Sequence, residues 1–366
     1  MSRKPMKFML SGGGTGGHIF PALSIADELK RRLPEAKFLF VGALGRMEMT
    51  QIPNAGYEIV GLPITGLQRS FSLKNFLVPF KLLYSIVKSI ALLRHFKPNA
   101  VIGTGGFASG PLVMAAGLLN IPVFLQEQNS YPGIVNRWAG RFARKIFVAY
   151  EGMDKYLPAE KILITGNPIR AEIVTTKQKD PKVAAKFLID PSKPTVLVVG
   201  GSLGARSINQ AIDSLVNEIQ EKANLVWICG KIYFDTYRKK YPINKSRFYL
   251  DAFAADLYEV YPWAEIVISR AGAGTLSELS AAGKACILIP SPNVAENHQL
   301  KNAKAFAEKK AAIVIEEKNL SSLKDTLMML LTSAEARVQL EQNIKLLAKP
   351  DATQKIADEI LKAVIA

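Results

Sequence analysis

Several stretches of this 366-residue chain carry residue types in spacings suited to chemistry. The first is Ser11-Gly12-Gly13-Gly14-Thr15-Gly16-Gly17-His18. Gly12, Gly14 and Gly17 meet the G-x-G-x-x-G spacing, which lets a phosphate or sugar approach the backbone and the following helix N-terminus. His18 closes the run. A neutral imidazole there could accept a proton from a hydroxyl, or it could cap and pack against its own loop; both readings stay open. The second stretch is Gly200-Gly201-Ser202-Leu203-Gly204-Ala205-Arg206. Its backbone N–H groups and the Ser202 hydroxyl suit a diphosphate, although a plain strand-to-helix turn also favours small residues. The third is Ser269-Arg270-Ala271-Gly272-Ala273-Gly274-Thr275-Leu276-Ser277-Glu278. It predicts a helix starting near Thr275, with its positive end toward a diphosphate. Glu278 then falls in the first turn, either closing a Thr-x-x-Glu capping box or accepting hydrogen bonds from a ribose diol.

These residues need elements to place them. Lys7–Ser11, Phe38–Gly42, Ala100–Gly103 and Pro122–Gln126 read as buried strands, with a helix over Ile19–Arg32. The pattern restarts at Thr195–Gly200, followed by a helix over Ala205–Gln220 and strands at Leu225–Cys229, Ile266–Ser269 and Cys286–Ile289. Short apolar runs alternating with helices predict an α/β fold of two doubly wound, Rossmann-like domains. Their division is expected near Gly166-Asn167-Pro168, and the glycine loops should face a cleft beyond the strand ends. A nicotinamide enzyme would need an acid closing the second strand; Phe40–Gly45 has none before Glu48.

Composition narrows the class. Nearly half the residues are apolar, as a packed globular chain requires. Cys229 and Cys286 fit no metal-ligand spacing and read as free thiols of a reducing cytoplasm. The basic N-terminus lacks a signal peptide's apolar segment, and the uncharged stretch Pro98–Gln126 is broken by glycines and prolines, so neither export nor a membrane span is expected. Residues 1–170 hold 21 basic against 9 acidic side chains, net +12, whereas 171–366 are net +4. A basic first half calls for an acidic partner, and no nucleic-acid recognition motif is present.

Taken in order, the Gly-Gly-Thr-Gly-Gly-His turn, the Gly-Gly-Ser-x-Gly-Ala turn and the Ser-Arg-Ala-Gly-Ala-Gly-Thr-x-Ser-Glu segment resemble the MurG family of N-acetylglucosaminyltransferases. Glu127-Gln128-Asn129, Gly166-Asn167-Pro168-Ile169-Arg170 and Glu296-Asn297-His298-Gln299 extend the resemblance over nearly the whole chain. It implies a GT-B fold: an acceptor domain over 1–166, a UDP-GlcNAc domain over 167–349, and a last helix, near Asp351–Ile365, returning to the first. It implies inverting transfer of GlcNAc from UDP-GlcNAc to the 4-hydroxyl of undecaprenyl-pyrophosphoryl-MurNAc-pentapeptide, without cofactor or metal, in peptidoglycan synthesis. His18 and Glu127 become the implied catalytic residues. Thr15, Gly16 and Gly17 match a donor-proximal loop, and Asn129, Arg170 and Ser202 match donor contacts. Ala273, Gly274, Thr275, Leu276, Ser277 and Glu278 match the nucleotide segment, with Glu278 on the ribose and Gln299 on the GlcNAc hydroxyls. Ala254, Arg270 and His298 complete the implied substrate contacts. Two residues depart from the pattern. Phe107 stands where relatives often carry Tyr, so that position offers no hydroxyl. His298 stands where some have a second Gln.

The family's acceptor is a membrane lipid, which directs attention to Leu67–Pro98. Lys74, Lys81 and Lys88 are spaced to share one side of a helix, with Phe76, Phe80, Leu83, Tyr84 and Val87 mostly on the other. Pro79 should start or break that helix. Its later part is expected to bury the apolar face in the core. The aromatics and lysines near Phe71–Phe80 suit an anionic bilayer, implying peripheral binding at the cytoplasmic face of the inner membrane, where cell-wall synthesis or division proteins would be partners. The readings set against this are another GT-B enzyme, such as a UDP-GlcNAc epimerase, and a non-catalytic scaffold that binds without turnover.

Overall fold

The computed structural model describes residues 5–65, 78–201, 203–254, 256–294 and 297–365. The readings that rest on Ser202, Glu296, Phe71, Lys74 and Phe76 lie outside them. The chain forms two compact units, one of Met1–Ile169 with Pro350–Ala366 and one of Arg170–Lys349.

In the first unit the elements run β1 (Lys7–Ser11), α1 (Gly16–Arg32), β2 (Lys37–Ala43), α2 (Glu48–Asn54), β3 (Ile59–Leu62), α3 (Val78–Phe96), β4 (Ala100–Gly103), α4 (Gly110–Leu118), β5 (Val123–Glu127), α5 (Ile134–Ala139), β6 (Ala143–Val148) and β7 (Ile162–Ile164). The sheet is parallel in the order β3-β2-β1-β4-β5-β6-β7. Strand side chains alternate between its two faces. Phe8, Leu10, Phe40, Ile102, Phe124 and Phe147 fill one core. Met9, Val41, Val101, Leu125, Ile146 and Val148 fill the other. Burial on both faces explains why these strands read as continuous apolar runs.

The second unit runs α6 (Ala171–Thr175), α7 (Pro181–Lys186), β8 (Thr195–Val199), α8 (Arg206–Lys222), β9 (Asn224–Ile228), α9 (Phe234–Lys240), β10 (Phe248–Asp251), β11 (Ala264–Ser269), α10 (Ala273–Ala282), β12 (Cys286–Leu288), α11 (His298–Glu308), β13 (Ile313–Val314), α12 (Leu323–Thr332) and α13 (Ala334–Lys345). Its parallel sheet has the order β10-β9-β8-β11-β12-β13. The chain ends in α14 (Ala352–Ile365), part of the first unit, whose Ile356, Ala357 and Ile360 are buried in the α1-side core. Arg32 of α1 secures this packing through Asp358 and the Gln354 carbonyl. Each sheet reverses direction of growth once, between β1 and β4 and between β8 and β11. Strand order opens a crevice there, at the carboxyl ends.

Helix α3 corrects one expectation. Pro79 does sit in its first turn, where a missing N–H costs nothing. The buried face, however, carries Ser85, Ser89 and Leu93, whereas Phe80, Leu83, Tyr84 and Val87 are 59–63% exposed. The small face packs on α4, and the Ser89 hydroxyl is satisfied by the Ser85 carbonyl at 2.7 Å. Leu82, Ile86, Ile90 and Phe96 pack with Leu93 against the core, so the later part does bury apolar groups, and it is the Phe80, Leu83, Tyr84 and Val87 stripe that stays outside. Lys88 is tied to the sheet rather than left to solvent: its Nζ donates to the Gly61 carbonyl at 2.9 Å.

Candidate active site

In the first unit the crevice between β1 and β4 holds the Gly12–His18 turn. The helix begins at Gly16, earlier than its apolar pattern suggests, so Gly16, Gly17 and His18 form its first turn. Thr15 is the exposed N-cap, and its hydroxyl makes no capping bond. His18 is half-buried. Its Nδ1 lies 3.0 Å from the Thr104 carbonyl and 3.0 Å from Gln128 Oε1. Both are acceptors, so Nδ1 carries the proton and Nε2 is the acceptor of the neutral ring. Gln128 is held in turn, its Nε2 donating to the Thr104 carbonyl at 2.7 Å and to Gln126 Oε1. Gly105 and Gly106 follow at positive φ, and a Cβ on Gly106 would stand 2.2 Å from the Gly13 carbonyl oxygen. Only glycine lets the two loops close around the imidazole.

Two buried carboxylates support this site. Glu48 accepts the Gly14 and Ala43 N–H groups, each at 3.0 Å, and its side chain fills the space a Cβ on Gly13 would occupy. In the sequence Glu48 stands out only as an acid too late to hold a nicotinamide ribose; its signal is that of a lone acid between a strand and an apolar helix. Glu127 is also buried. It accepts from Asn129 N and Nδ2, Gly133 N and Asn136 Nδ2, at 2.9–3.2 Å. So engaged, it organises the loop after β5. The Asn129 amide nitrogen is one of those donors. Phe107 lies beside this turn, with Arg46 over its ring at 5.8 Å.

The second unit repeats the arrangement at its own crevice. Gly204 has φ +85°, and a Cβ there would meet the Cys229 carbonyl oxygen at 2.2 Å, so the turn after β8 lies tightly against the end of β9. After β11, helix α10 starts at Ala273 with Gly272 as N-cap. The capping box therefore does not form: Thr275 is inside the first turn and Glu278 a turn further on. Glu278 instead faces Arg170, Nε to Oε1 3.5 Å. Burial raises its pKa above the ordinary carboxylate value, and the Arg170 charge opposes that shift. Gly274 looks onto open space, and Ser277 Oγ donates to the Ala273 carbonyl at 3.0 Å. Leu276 is fully buried in the core, so its side chain cannot be a substrate contact; only its backbone could serve.

Other expected contacts separate into two kinds. Arg270 is tied down, donating to the Ile289 carbonyl and Ser207 hydroxyl, both at 3.1 Å, and pairing with Glu317. It braces β11, β12 and α8. Gln299 lies in the first turn of α11, and its Oε1 accepts the Ser291 N–H at 2.9 Å, which leaves Nε2 to meet a ligand oxygen. His298 is half-buried beside it, and Ala254 is half-buried after β10. Cys229 and Cys286 are free, and burial pushes their thiols up to about 11 and about 12. Among the described residues no cluster of three or more His, Cys, Asp or Glu side chains forms, and no helix is long and apolar enough to cross a membrane.

Comparison with known proteins assigns the class. The glycosyltransferase family 28 N-terminal domain matches residues 8–148 and the family 28 C-terminal domain matches 195–356, so the chain belongs to glycosyltransferase family 28. A relative from Flavobacterium psychrophilum is 48% identical, covering 98% of each chain. It is named UDP-N-acetylglucosamine–N-acetylmuramyl-(pentapeptide) pyrophosphoryl-undecaprenol N-acetylglucosamine transferase. One from Porphyromonas gingivalis with the same name is 46% identical, covering 99% of this chain and 97% of its own. The crystal structure of Acinetobacter baumannii MurG superposes with a TM-score of 0.74 at 26% identity, covering 98% of this chain and 100% of that one. The two Rossmann-like units are those of a GT-B glycosyltransferase. A Neisseria meningitidis UDP-GlcNAc 2-epimerase shares the fold at 15% identity and TM-score 0.68, which speaks to fold alone.

Proposed function

We propose that this protein transfers N-acetylglucosamine from UDP-GlcNAc to the 4-hydroxyl of MurNAc-pentapeptide carried on undecaprenyl pyrophosphate, with inversion. The observation that carries this reading is the match, over 98% of both chains, to a relative of that name at 48% identity. Inverting transfer needs a base for the acceptor hydroxyl and a site that stabilises departing UDP. His18 supplies the base: its fixed tautomer leaves Nε2 to take the proton while the hydroxyl oxygen attacks the anomeric carbon. The bond from that carbon to the UDP oxygen breaks as the β linkage forms. The second unit holds the donor, with the Gly200–Gly204 turn, the α10 N-terminus and Arg170 stabilising the diphosphate, Glu278 accepting from the ribose diol and Gln299 meeting the sugar. Thr15, Gly16 and Gly17 line the reacting end, and Asn129 is presented by the Glu127-held loop.

The acceptor's lipid tail brings the enzyme to a membrane, and the first unit supplies a docking surface. The exposed stripe of α3 is joined by exposed Leu118, Ile134 and Trp138 on the helices packed in series beside it, with Arg141 stacked on Trp138 at 4.8 Å. Aromatic and aliphatic groups beside guanidinium groups suit the interface of an anionic bilayer at the cytoplasmic face. The activity test combines purified protein, UDP-GlcNAc and a muramyl-pentapeptide lipid analogue, with product read by mass. A disaccharide lipid is expected. Conversion of UDP-GlcNAc to an epimer without acceptor, or binding of both substrates with no turnover, would overturn the reading.

A further inference from the structure

Gln128 and Asn167 lie in two segments of the family pattern, Glu127-Gln128-Asn129 and Gly166-Asn167-Pro168-Ile169-Arg170, 39 residues apart in the chain. Both side chains are buried in the first unit, as is that of Gln126. Asn167 Nδ2 donates to the Gln128 carbonyl at 3.1 Å. A main-chain carbonyl can only accept, so Asn167 Oδ1 must point the other way, where it accepts from Gln126 Nε2 at 3.0 Å. Gln126 Oε1 in turn accepts from Gln128 Nε2, which also donates to the Thr104 carbonyl at 2.7 Å. Gln128 Oε1 is thereby turned to His18 Nδ1, 3.0 Å away. An amide has one donor end and one acceptor end, so none of the three can flip alone. Turning Gln128 over would set its oxygen against the Gln126 oxygen and the Thr104 carbonyl, and a buried polar clash of that kind is costly.

We propose that Asn167, Gln126 and Gln128 are positioning residues for His18: an orientation set at a main-chain carbonyl passes along three side-chain amides and ends as an acceptor on Nδ1. The inference rests on the reading of His18 as the base. The Thr104 carbonyl is a second acceptor for Nδ1, at 3.0 Å, but it is shared with Gln128 Nε2. The relay acts twice. Before transfer it keeps the ring proton on Nδ1 and Nε2 free to accept. As Nε2 takes the proton of the attacking hydroxyl, the ring becomes a cation, and the bond from Nδ1–H to Gln128 Oε1 becomes charge-assisted and stronger.

The test is ¹⁵N NMR of the ring nitrogens in protein labelled at its three histidines, His18, His95 and His298, at a mildly alkaline pH where imidazoles are ordinarily neutral. The variants are Gln128→Met, which keeps the side chain's length, and Asn167→Leu, which keeps its volume at the far end of the relay. Steady-state kinetics and melting temperatures run alongside. Wild-type His18 should carry its proton on Nδ1. Gln128→Met should move the tautomer ratio about fivefold toward Nε2–H, the size of one neutral hydrogen bond. Its kcat should fall about tenfold, the size of one of the weaker hydrogen bonds to a charged group, with donor KM unchanged. The Thr104 carbonyl keeps this loss below that of removing the base itself. Asn167→Leu, two amides away from the ring, should move the ratio in the same direction by less, while His95 and His298 keep their wild-type signals. A wild-type ratio in either folded variant overturns the proposal, as does a shifted ratio with kcat unchanged where His18→Ala is slow. If His18→Ala itself turns over at the wild-type rate, the base reading fails instead.

Discussion

At the scale of single residues, the imidazole of His18 owes its chemistry to its neighbours. A carbonyl and an amide oxygen hold the proton on Nδ1, which a lone histidine in a flexible loop would not guarantee. His18→Ala should lower turnover by about 10²–10⁴-fold and leave UDP affinity unchanged, as steady-state kinetics and calorimetry together would show. Turnover near wild type would transfer the base role elsewhere. Glu48 makes a different prediction because it acts through the backbone. Glu48→Ala leaves the half-buried Gly14 and buried Ala43 N–H groups without their acceptor, at a cost of ~1–3 kcal/mol for the buried one. Denaturant unfolding should show that loss, and turnover should fall with it because the glycine turn loosens beside His18.

At the scale of elements, α14 is attached to α1 by both oil and charge. Ile360 is fully buried against the α1-side core, so Ile360→Ala should destabilise by ~2–5 kcal/mol, measured by thermal or denaturant unfolding. Glu28 holds Arg31 and Arg32, and Arg32 reaches across to Asp358. Its carboxyl is lowered below the ordinary 4.5, first by the Arg31 hydrogen bonds, with burial working against them. A lowered native pKa means the unfolded chain binds more protons in that window. Stability from Glu28 is therefore complete above about pH 4.5 and is lost as pH falls through the native pKa. Melting curves from pH 6 downward should fall less steeply in Glu28→Gln than in wild type; parallel curves would remove Glu28 from the linkage.

At the scale of the molecule, charge and exposed apolar surface fall in the same half of the chain. Residues 1–170 carry net +12, and their unit bears the α3 stripe. Each basic group near an anionic surface adds about 1 kcal/mol, screened within a Debye length, so attachment should be reversible and salt-sensitive. Flotation with neutral and anionic liposomes should show binding to the anionic ones at low salt and release at high salt. Replacing Phe80, Leu83, Tyr84 and Val87 with serine should reduce binding without lowering the melting temperature, because these side chains already face solvent. Equal binding to both liposome types, or none lost in the variant, would discard this surface.

What the amino-acid order alone determined was local and periodic. Apolar runs sheathed by helices dictated two parallel sheets, since a strand buried on both faces has no other reading, and glycines at strand ends marked the loops that carry the site. The family pattern supplied Glu278, Arg170 and Gln299, and the structure shows that Arg170 and Glu278 come together. Other features depended on contacts between residues far apart in the chain. The His18 tautomer depends on Thr104 and Gln128, and the Glu127 loop on Asn136. The orientation of α3 could not be read from hydropathy either, because both its faces carry apolar groups and the choice fell to the one whose serines let α4 approach. A sequence states which groups a chain possesses and how they recur; folding decides which of them share a hydrogen bond, because hydrogen bonds are set by distances of a few ångströms between segments the sequence keeps a hundred residues apart.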